Sequence, residues 1–309
     1  MNRLAGIIVA VVGLLIAILS ILKVIPDLGS TGISLILLGG LVIGLSFVKK
    51  PDPEDTERMS TVETLLKVFY APVEVFQNLR RHPRWLVAVL IATLLSAVYT
   101  SLFLYRLTPE RVTDYIIDKT LEMPMIANNE EARKQVEAGR ATSLENNKNP
   151  VIRAGQAVNS FTSQTFKYAF FGAVFFLFAL AMGGKMNFWQ AFSAAVYANF
   201  PWAVIHFALN TLILFLKDPS DIHPILGQGS LVQDNLGFLV TPSESPVVYT
   251  LLSSFGLLNF YWIWLNATGL KNAGERVSSA FAWTATITVF VLMVLMGIGV
   301  ALLFPSFIG

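Results

Sequence analysis

Polar side chains inside long apolar stretches are the residues of this chain whose types and spacing could support chemistry. They are Asn199, His206 and Asn210 in one stretch, Asn259 and Asn266 in the next, and Thr284 and Thr288 in the last. The first three lie seven and four positions apart, so they share one face of a helix. This set could line a path for a small solute or lipid. It could instead form hydrogen bonds between helices, worth roughly 0.6 kcal/mol per pair, and the absence of acidic residues from these stretches favours that interpretation.

A second candidate is the amphipathic segment 62–84. Its apolar residues recur at helical spacing, and they are Val62, Leu65, Leu66, Phe69, Val73 and Phe76. Pro72 interrupts the pattern, which predicts a kink or two short helices. Arg80, Arg81 and Arg84 follow. We weigh two interpretations equally: a helix in the membrane interface whose arginines contact anionic headgroups, and a helix packed on the inner ends of the bundle.

Catalytic signatures are missing. The chain has no cysteine and three histidines, and it lacks a His-Glu-x-x-His zinc motif, a P-loop and a dinucleotide fingerprint. No aspartate lies within an apolar stretch. The net charge of +2 without a clustered basic face gives no reason to expect nucleic-acid binding. The sequence predicts a protein that is not an enzyme and uses no cofactor or metal.

The elements that must position these residues are membrane-spanning helices. Hydrophobic residues make up 54% of the 309 positions and charged residues 14%, against roughly 25% charged in soluble domains. The apolar residues lie in stretches long enough to cross a hydrocarbon core of about 30 Å. These stretches are 5–25, 29–48, 85–105, 161–182, 188–216, 247–270 and 278–304. The predicted fold class is all-α, a polytopic membrane helix bundle.

Lysine and arginine positions predict the orientation of the chain. Seven lie between the second and third stretches, namely Lys49, Lys50, Arg58, Lys67, Arg80, Arg81 and Arg84. Because positively charged loops stay inside, the N-terminus is predicted inside and the C-terminus outside. The first stretch has no small-residue cleavage site and is longer than a signal-peptide core, so we interpret it as an uncleaved span.

Three segments are predicted. Residues 1–50 form an N-terminal transmembrane hairpin, in which Gly40 and Gly44 form a GxxxG pattern that lets helices approach closely. That pattern could pack on the chain's own bundle or on a second copy. Residues 51–84 form a cytoplasmic linker and amphipathic interfacial helix. Residues 85–309 form a five-span bundle with an outer helical insertion at 106–160 and an outer loop at 217–246.

The pairs Thr108-Pro109 and Asn149-Pro150 are typical helix starts, with a capping residue followed by proline at the first helical position. Helices are therefore predicted to begin at Pro109 and at Pro150, and the second of these continues into the fourth span.

Residues 62–304 resemble the Yip1 domain family of five-span membrane proteins. The matching motifs are Phe69–Phe76 followed by Arg80–Trp85, Gly183–Lys185 leading to Tyr197–Trp202, and Trp262–Trp264 with Gly269–Leu270. The resemblance implies a five-helix Yip1-like core behind the hairpin, and a cytoplasmic N-terminal region with an outside C-terminus. The Asp-Leu-Tyr-Gly-Pro motif of eukaryotic trafficking members is absent. The chain is therefore more similar to the prokaryotic branch, which implies the cell (inner) membrane.

Two functional hypotheses follow. The first is a non-enzymatic scaffold, adaptor or membrane-organising protein that acts through its cytoplasmic amphipathic segment. Its partners would be the lipid bilayer, anionic lipid, and a protein partner or a second copy bound through Gly40 and Gly44. The alternative is a permease or channel for a small solute or lipid, with a path lined by the Asn and His residues of the fifth and sixth spans.

Overall fold

The computed structural model describes residues 3–51 and 57–307, so residues 52–55 of the linker predicted at 51–55 lie outside the described residues. Within these residues the chain forms fourteen α-helices and two isolated β-bridges, and no strand. The helices are α1 (Arg3–Ile21), α2 (Gly29–Leu45), α3 (Thr61–Lys67), α4 (Pro72–Arg81), α5 (Leu86–Leu107), α6 (Pro109–Leu121), α7 (Pro124–Ala127), α8 (Glu130–Lys148), α9 (Pro150–Ala181), α10 (Phe188–Leu216), α11 (Leu226–Gly229), α12 (Pro246–Ser253), α13 (Leu257–Ala273) and α14 (Ser279–Leu303). The predicted all-α class is confirmed.

Five of these helices are long and apolar enough to cross a membrane, and they are α1, α5, α9, α10 and α14. Helices α2 and α13 have 17 residues each, which corresponds to a length of about 26 Å. Helix α9 has 32 residues and is about 48 Å long. It begins at Pro150, as the sequence predicted, and it exceeds the thickness of the hydrocarbon core. The polytopic membrane bundle is confirmed.

One predicted span is wrong as a single helix. The stretch 247–270 is divided into α12 and α13, with a break at residues 254–256. Asp234 caps the start of α13 after the break. Its Oδ2 atom accepts a hydrogen bond from the backbone N–H of Leu258 at 2.7 Å. Asn235 forms a β-bridge with Gly256 at the same place.

The chain folds into two compact units. The first unit comprises Met1–Leu94, Pro150–Pro201 and Trp264–Thr286, and the second comprises Leu95–Asn149, Trp202–Ile263 and Ile287–Gly309. The three-segment division predicted from the sequence follows chain order, and it remains a prediction.

In the first unit, α1 and α2 form the predicted hairpin through small residues. A Cβ atom added to Gly39 would lie 2.6 Å from the backbone nitrogen of Ala10, and one added to Gly13 would lie 2.7 Å from the carbonyl oxygen of Gly32. The two backbones are therefore close enough to exclude any larger side chain. Gly155 of α9 lies against the side chain of Thr31 in α2, where an added Cβ would be 2.6 Å from the hydroxyl oxygen.

In the second unit, a buried cluster joins α5, α6 and α10 to the chain that follows α10. Its members are Tyr99, Phe103, Leu104, Leu107, Val112, Leu214, Ile222 and Leu231. Helix α6 begins at Pro109 with Thr108 as its N-cap, as predicted from the Thr-Pro pair. Helix α8 lies against α6, and Arg140 binds Asp114 and Asp118 at 2.9 and 2.8 Å.

Candidate functional site

The amphipathic segment folds into α3 and α4, as the proline at position 72 predicted. Ser60 caps α3 by accepting a hydrogen bond from the N–H of Glu63, and Pro72 occupies the first turn of α4, where its missing N–H costs nothing. The side chain of Asn78 fixes the start of the segment. Its Nδ2 atom donates to the carbonyl oxygen of Glu57 at 2.9 Å.

One side of this segment is packed within the first unit. Val68, Val75, Phe76 and Leu79 are fully buried. The ring of Phe76 lies against Gly269 of α13, where an added Cβ would be 3.1 Å from it. These contacts support the second of the two sequence interpretations, a helix packed on the bundle.

The other side of the segment is apolar and uncovered. We define the exposed apolar set as Val62, Leu66, Tyr70 and Val73, whose exposed fractions are 67%, 58%, 73% and 44%. Val62 and Leu66 are four positions apart in α3 and share one face. Phe69, in contrast, is half-buried and packs edge-on against Phe200, with ring centroids 6.0 Å apart. The apolar character of the segment therefore has two faces rather than the single stripe predicted from the sequence.

The three arginines predicted as one surface cluster have different environments. Arg81 forms an ion pair with Glu275 at 3.2 Å. Arg84 donates to Asn78 at 3.0 Å, and partial burial lowers the pKa of its guanidinium below the usual value. Arg80 has no ion-pair partner among the described residues. Arg81 and Arg84 therefore help to hold the segment in place, which leaves Arg80 as the arginine of this group available to an external ligand.

Neighbouring residues of α10 bring further cations to Arg80. Trp189 donates its indole N–H to the carbonyl oxygen of Val48 at 2.9 Å, and Gln190 donates its amide to the carbonyl oxygen of Arg80 at 2.9 Å. Two consecutive residues thus hold the chain that follows α2 beside the end of α4. We define the inner cation set as Lys49, Lys50, Arg58 and Arg80, none of which is ion-paired within the described part of the chain.

The predicted intramembrane polar residues are divided between the two units. In the first unit, Asn199 is buried and donates to the carbonyl oxygen of Ala195, one turn earlier in its own helix. Asn266 is also buried, whereas Thr284 is exposed. In the second unit, Thr288 is half-buried. A single network of all seven residues therefore remains a prediction.

In the second unit, three of the predicted residues hold backbone groups of other segments. The Nε2 atom of His206 lies 3.0 Å from the carbonyl oxygen of Gly229. The Oδ1 atom of Asn210 accepts hydrogen bonds from the N–H groups of Leu231 and Val232. Asn259 donates to the carbonyl oxygen of Ser254 at 3.1 Å, at the break between α12 and α13.

Sequence reasoning missed a further group of side chains that fixes residues 217–232. Arg111 donates to the carbonyl oxygens of Pro219, Ser220 and Ile222, and Arg106 donates to that of Lys217. Tyr99 donates to the carbonyl oxygen of Gly227. These donors lie more than 100 positions from their acceptors along the chain, so no local pattern could identify them.

A cavity of about 710 Å³ lies in the second unit, lined by residues of 217–242 together with parts of α10, α12 and α13. Two predicted residues, His206 and Asn259, belong to its lining. The described residues include no group of three His, Cys, Asp or Glu side chains that could hold a metal ion. We call this space the loop cavity.

Gly40 and Gly44 do not take part in the packing of α1 on α2. Both are exposed, and an added Cβ on either would meet no atom within 4 Å. The hairpin uses Gly13 and Gly39 instead. Pairing of two copies through Gly40 and Gly44 remains a prediction.

Comparison with known proteins agrees with the resemblance drawn from the sequence. A family model of the Yip1 domain matches residues 66–301, which is well over half of the chain. No curated protein and no solved structure matches the chain.

Proposed function

Because this chain belongs to the Yip1 domain family and is a multi-pass membrane protein, we propose that it is a non-enzymatic scaffold that organises the membrane from its inner surface. It acts through α3 and α4. The observation that carries the proposal is the exposed apolar set, which lies on a segment whose opposite side is fully buried in the protein. Apolar side chains fixed on the surface in this way are typical of a lipid or partner contact.

The lipid surface is the occupant that the charges favour. Lys49, Lys50 and Arg80 lie on the segments that Trp189 and Gln190 hold together. Arg58 follows Glu57, whose carbonyl oxygen Asn78 of α4 binds. Each Lys or Arg near an anionic membrane surface contributes about 1 kcal/mol of attraction. Lys67 is not counted, since its hydrogen bonds to Glu63 and Glu74 raise its pKa and the two carboxylates balance its charge. In this proposal the N-terminus is cytoplasmic, and α3 and α4 lie in the inner interface of the cell membrane.

The test compares the lipids retained by variants of the full chain. The protein is extracted without detergent in native lipid discs, and the anionic lipid fraction is measured by mass spectrometry. We expect enrichment of anionic lipid over the bulk membrane, lost when Lys49, Lys50 and Arg80 are changed to Gln. Lys134→Gln in α8 is the matched control, and it should retain the enrichment.

Equal enrichment in the triple variant and the wild-type protein would overturn the lipid proposal. A stoichiometric protein retained by the wild type, and lost when Val62 and Leu66 are changed to Ser, would instead favour an adaptor with a protein partner.

The transport alternative receives less support. The Nε2 atom of His206 and the Oδ1 atom of Asn210 engage the backbone of residues 229–232, so these two atoms hold a fixed part of the chain. A permease would lose flux in proteoliposomes with Asn259→Leu. If the wild-type protein transports a solute and Asn259→Leu abolishes that flux, the permease becomes the favoured function.

A further inference from the structure

The loop cavity has the size and rigidity of a ligand site. Its volume of about 710 Å³ falls within the range of roughly 300–1,000 Å³ typical of small-molecule pockets. One wall, residues 217–232, is held by side chains from α5, α6 and α10, through Tyr99, Arg111 and Asn210 among others. A wall fixed in this way needs little ordering when a ligand binds, which favours affinity.

The lining carries charges of both signs that form no ion pair within the described part of the chain. Lys217 and Asp221 belong to it, and neither forms an ion pair with any residue that the structure describes. Asp234 also lines the cavity, and one of its oxygens caps α13. One cation and two carboxylates around one space fit a ligand that carries both an anionic and a cationic group.

Two buried donors in the lining have no acceptor within residues 3–51 and 57–307. The indole N–H of Trp202 and the hydroxyl of Ser253 have no hydrogen-bond partner among the described residues, and both residues line the cavity. A buried donor without a partner costs free energy. Oxygen atoms of a bound ligand would provide the missing acceptors.

The lining also includes apolar side chains and the residue that follows a membrane span. Phe238 and Leu239 line the cavity and are 64% and 62% exposed. Lys217 is the first residue after the end of α10. Since α10 is a membrane span, Lys217 lies where lipid headgroups begin.

We propose that the loop cavity binds a zwitterionic phosphoamine headgroup, with the phosphate at Lys217 and the primary ammonium at Asp221 and Asp234. The favoured source is a phospholipid whose acyl chain runs along Phe238 and Leu239. This binding site is independent of the scaffold function proposed for α3 and α4, which lie in the other unit.

The test uses native mass spectrometry of the full-length protein in maltoside detergent, with three probes. Dihexanoyl-phosphatidylethanolamine has the phosphate, the ammonium and two acyl chains. Dihexanoyl-phosphatidylglycerol lacks the ammonium, and glycerophosphoethanolamine lacks the acyl chains. We expect the first to bind about tenfold more tightly than the second, because a charge-assisted contact is lost. Asp221→Asn should remove this preference, and Lys217→Gln should weaken both lipids about tenfold.

Lys134→Gln, an exposed lysine of α8, is the matched control and should change none of these values. If glycerophosphoethanolamine binds as tightly as the lipid, the site recognises the phosphoamine group as proposed, but its ligand is a soluble phosphoamine rather than a lipid. Binding of neither phosphoamine probe, or a preference that survives Asp221→Asn, would overturn the proposal.

Discussion

The Nε2 atom of His223 lies 3.0 Å from the hydroxyl oxygen of Tyr115. The other ring nitrogen, Nδ1, accepts hydrogen bonds from the backbone N–H groups of Ile225 and Leu226, at 3.2 and 3.1 Å. An accepting Nδ1 cannot carry a proton, so the ring is neutral with its proton on Nε2. Protonation of His223 would therefore break both bonds to the start of α11.

Acid should loosen residues 225–232. Burial, and then the charge of Lys119, lowers the pKa of His223 below its usual 6.5. Below about pH 6.5 the loosened state binds more protons than the folded state. The free energy that holds the loop in place is therefore greatest above about pH 6.5, and it decreases as the pH falls towards the lowered pKa. Each lost bond is worth about 1 kcal/mol. Hydrogen exchange of these amides, corrected for intrinsic rates, should show lower protection at about pH 5.5 than at about pH 7.5.

His223→Gln should remove the pH dependence of protection at the Ile225 and Leu226 amides, because the acceptor that titrates there is gone. His82→Gln, which changes a histidine of the other unit, should leave the pH dependence intact. Equal protection of the wild-type loop at both pH values would contradict this assignment.

Helix α2 should tolerate a methyl group at position 40 but not at position 39. In Gly39→Ala, the new Cβ would lie 2.6 Å from the backbone of Ala10 and of Gly6, so α1 and α2 must separate, at a cost of about 1–3 kcal/mol. In Gly40→Ala, the Cβ enters open space, and the higher helix propensity of Ala is the main effect. Thermal unfolding should show a lower midpoint for Gly39→Ala alone. Similar midpoints for the two variants would exclude the close approach of the two helices.

Phe76 should stabilise the protein, whereas Leu66 should not. Phe76 is fully buried against Gly269, so Phe76→Ala should lower the free energy of unfolding by about 3–5 kcal/mol. Leu66 is 58% exposed, and Leu66→Ala should change it by less than about 0.5 kcal/mol. The free energy of unfolding of both variants is measured in detergent. A large loss in Leu66→Ala would mean that the exposed apolar set packs inside the protein.

The orientation of the chain can be tested directly because the chain has no cysteine. Gln77 of α4 and Arg133 of α8 are both exposed, so each can be replaced by a single Cys. A membrane-impermeant maleimide applied to intact cells should label Arg133→Cys at once and Gln77→Cys after permeabilisation. The reverse order would contradict the orientation predicted from the positive charges.

Sequence periodicity predicted the helices better than it predicted their faces. Helix starts at Pro109 and Pro150 carry local cap signals and were found where expected. In segment 62–84 both faces are apolar, because one packs on protein and the other is uncovered. Spacing alone therefore could not distinguish Val68 and Leu79, which are buried, from Val62, which is exposed.

Long-range contacts set the features that the sequence did not reveal. The stretch 247–270 is apolar throughout, yet α13 begins at Leu257 because Asp234, 24 positions before Leu258, caps it. His206 and Asn210 share a helix face, as predicted, but their partners are the backbone of residues 229–232. Such partners depend on the tertiary fold and leave no local pattern.

The position of α3 relative to the lipid decides whether the scaffold proposal is right. A nitroxide spin label is attached to Leu66→Cys, and to Arg133→Cys of the exposed helix α8 as the control, in the full-length protein reconstituted in nanodiscs. Accessibility to oxygen and to a water-soluble nickel complex then reports the depth of each label. We expect the label at position 66 to be reached mainly by oxygen, within the bilayer boundary, and the label at position 133 to be reached by the nickel complex. A label at position 66 that is as accessible to the nickel complex as the control would refute the scaffold proposal.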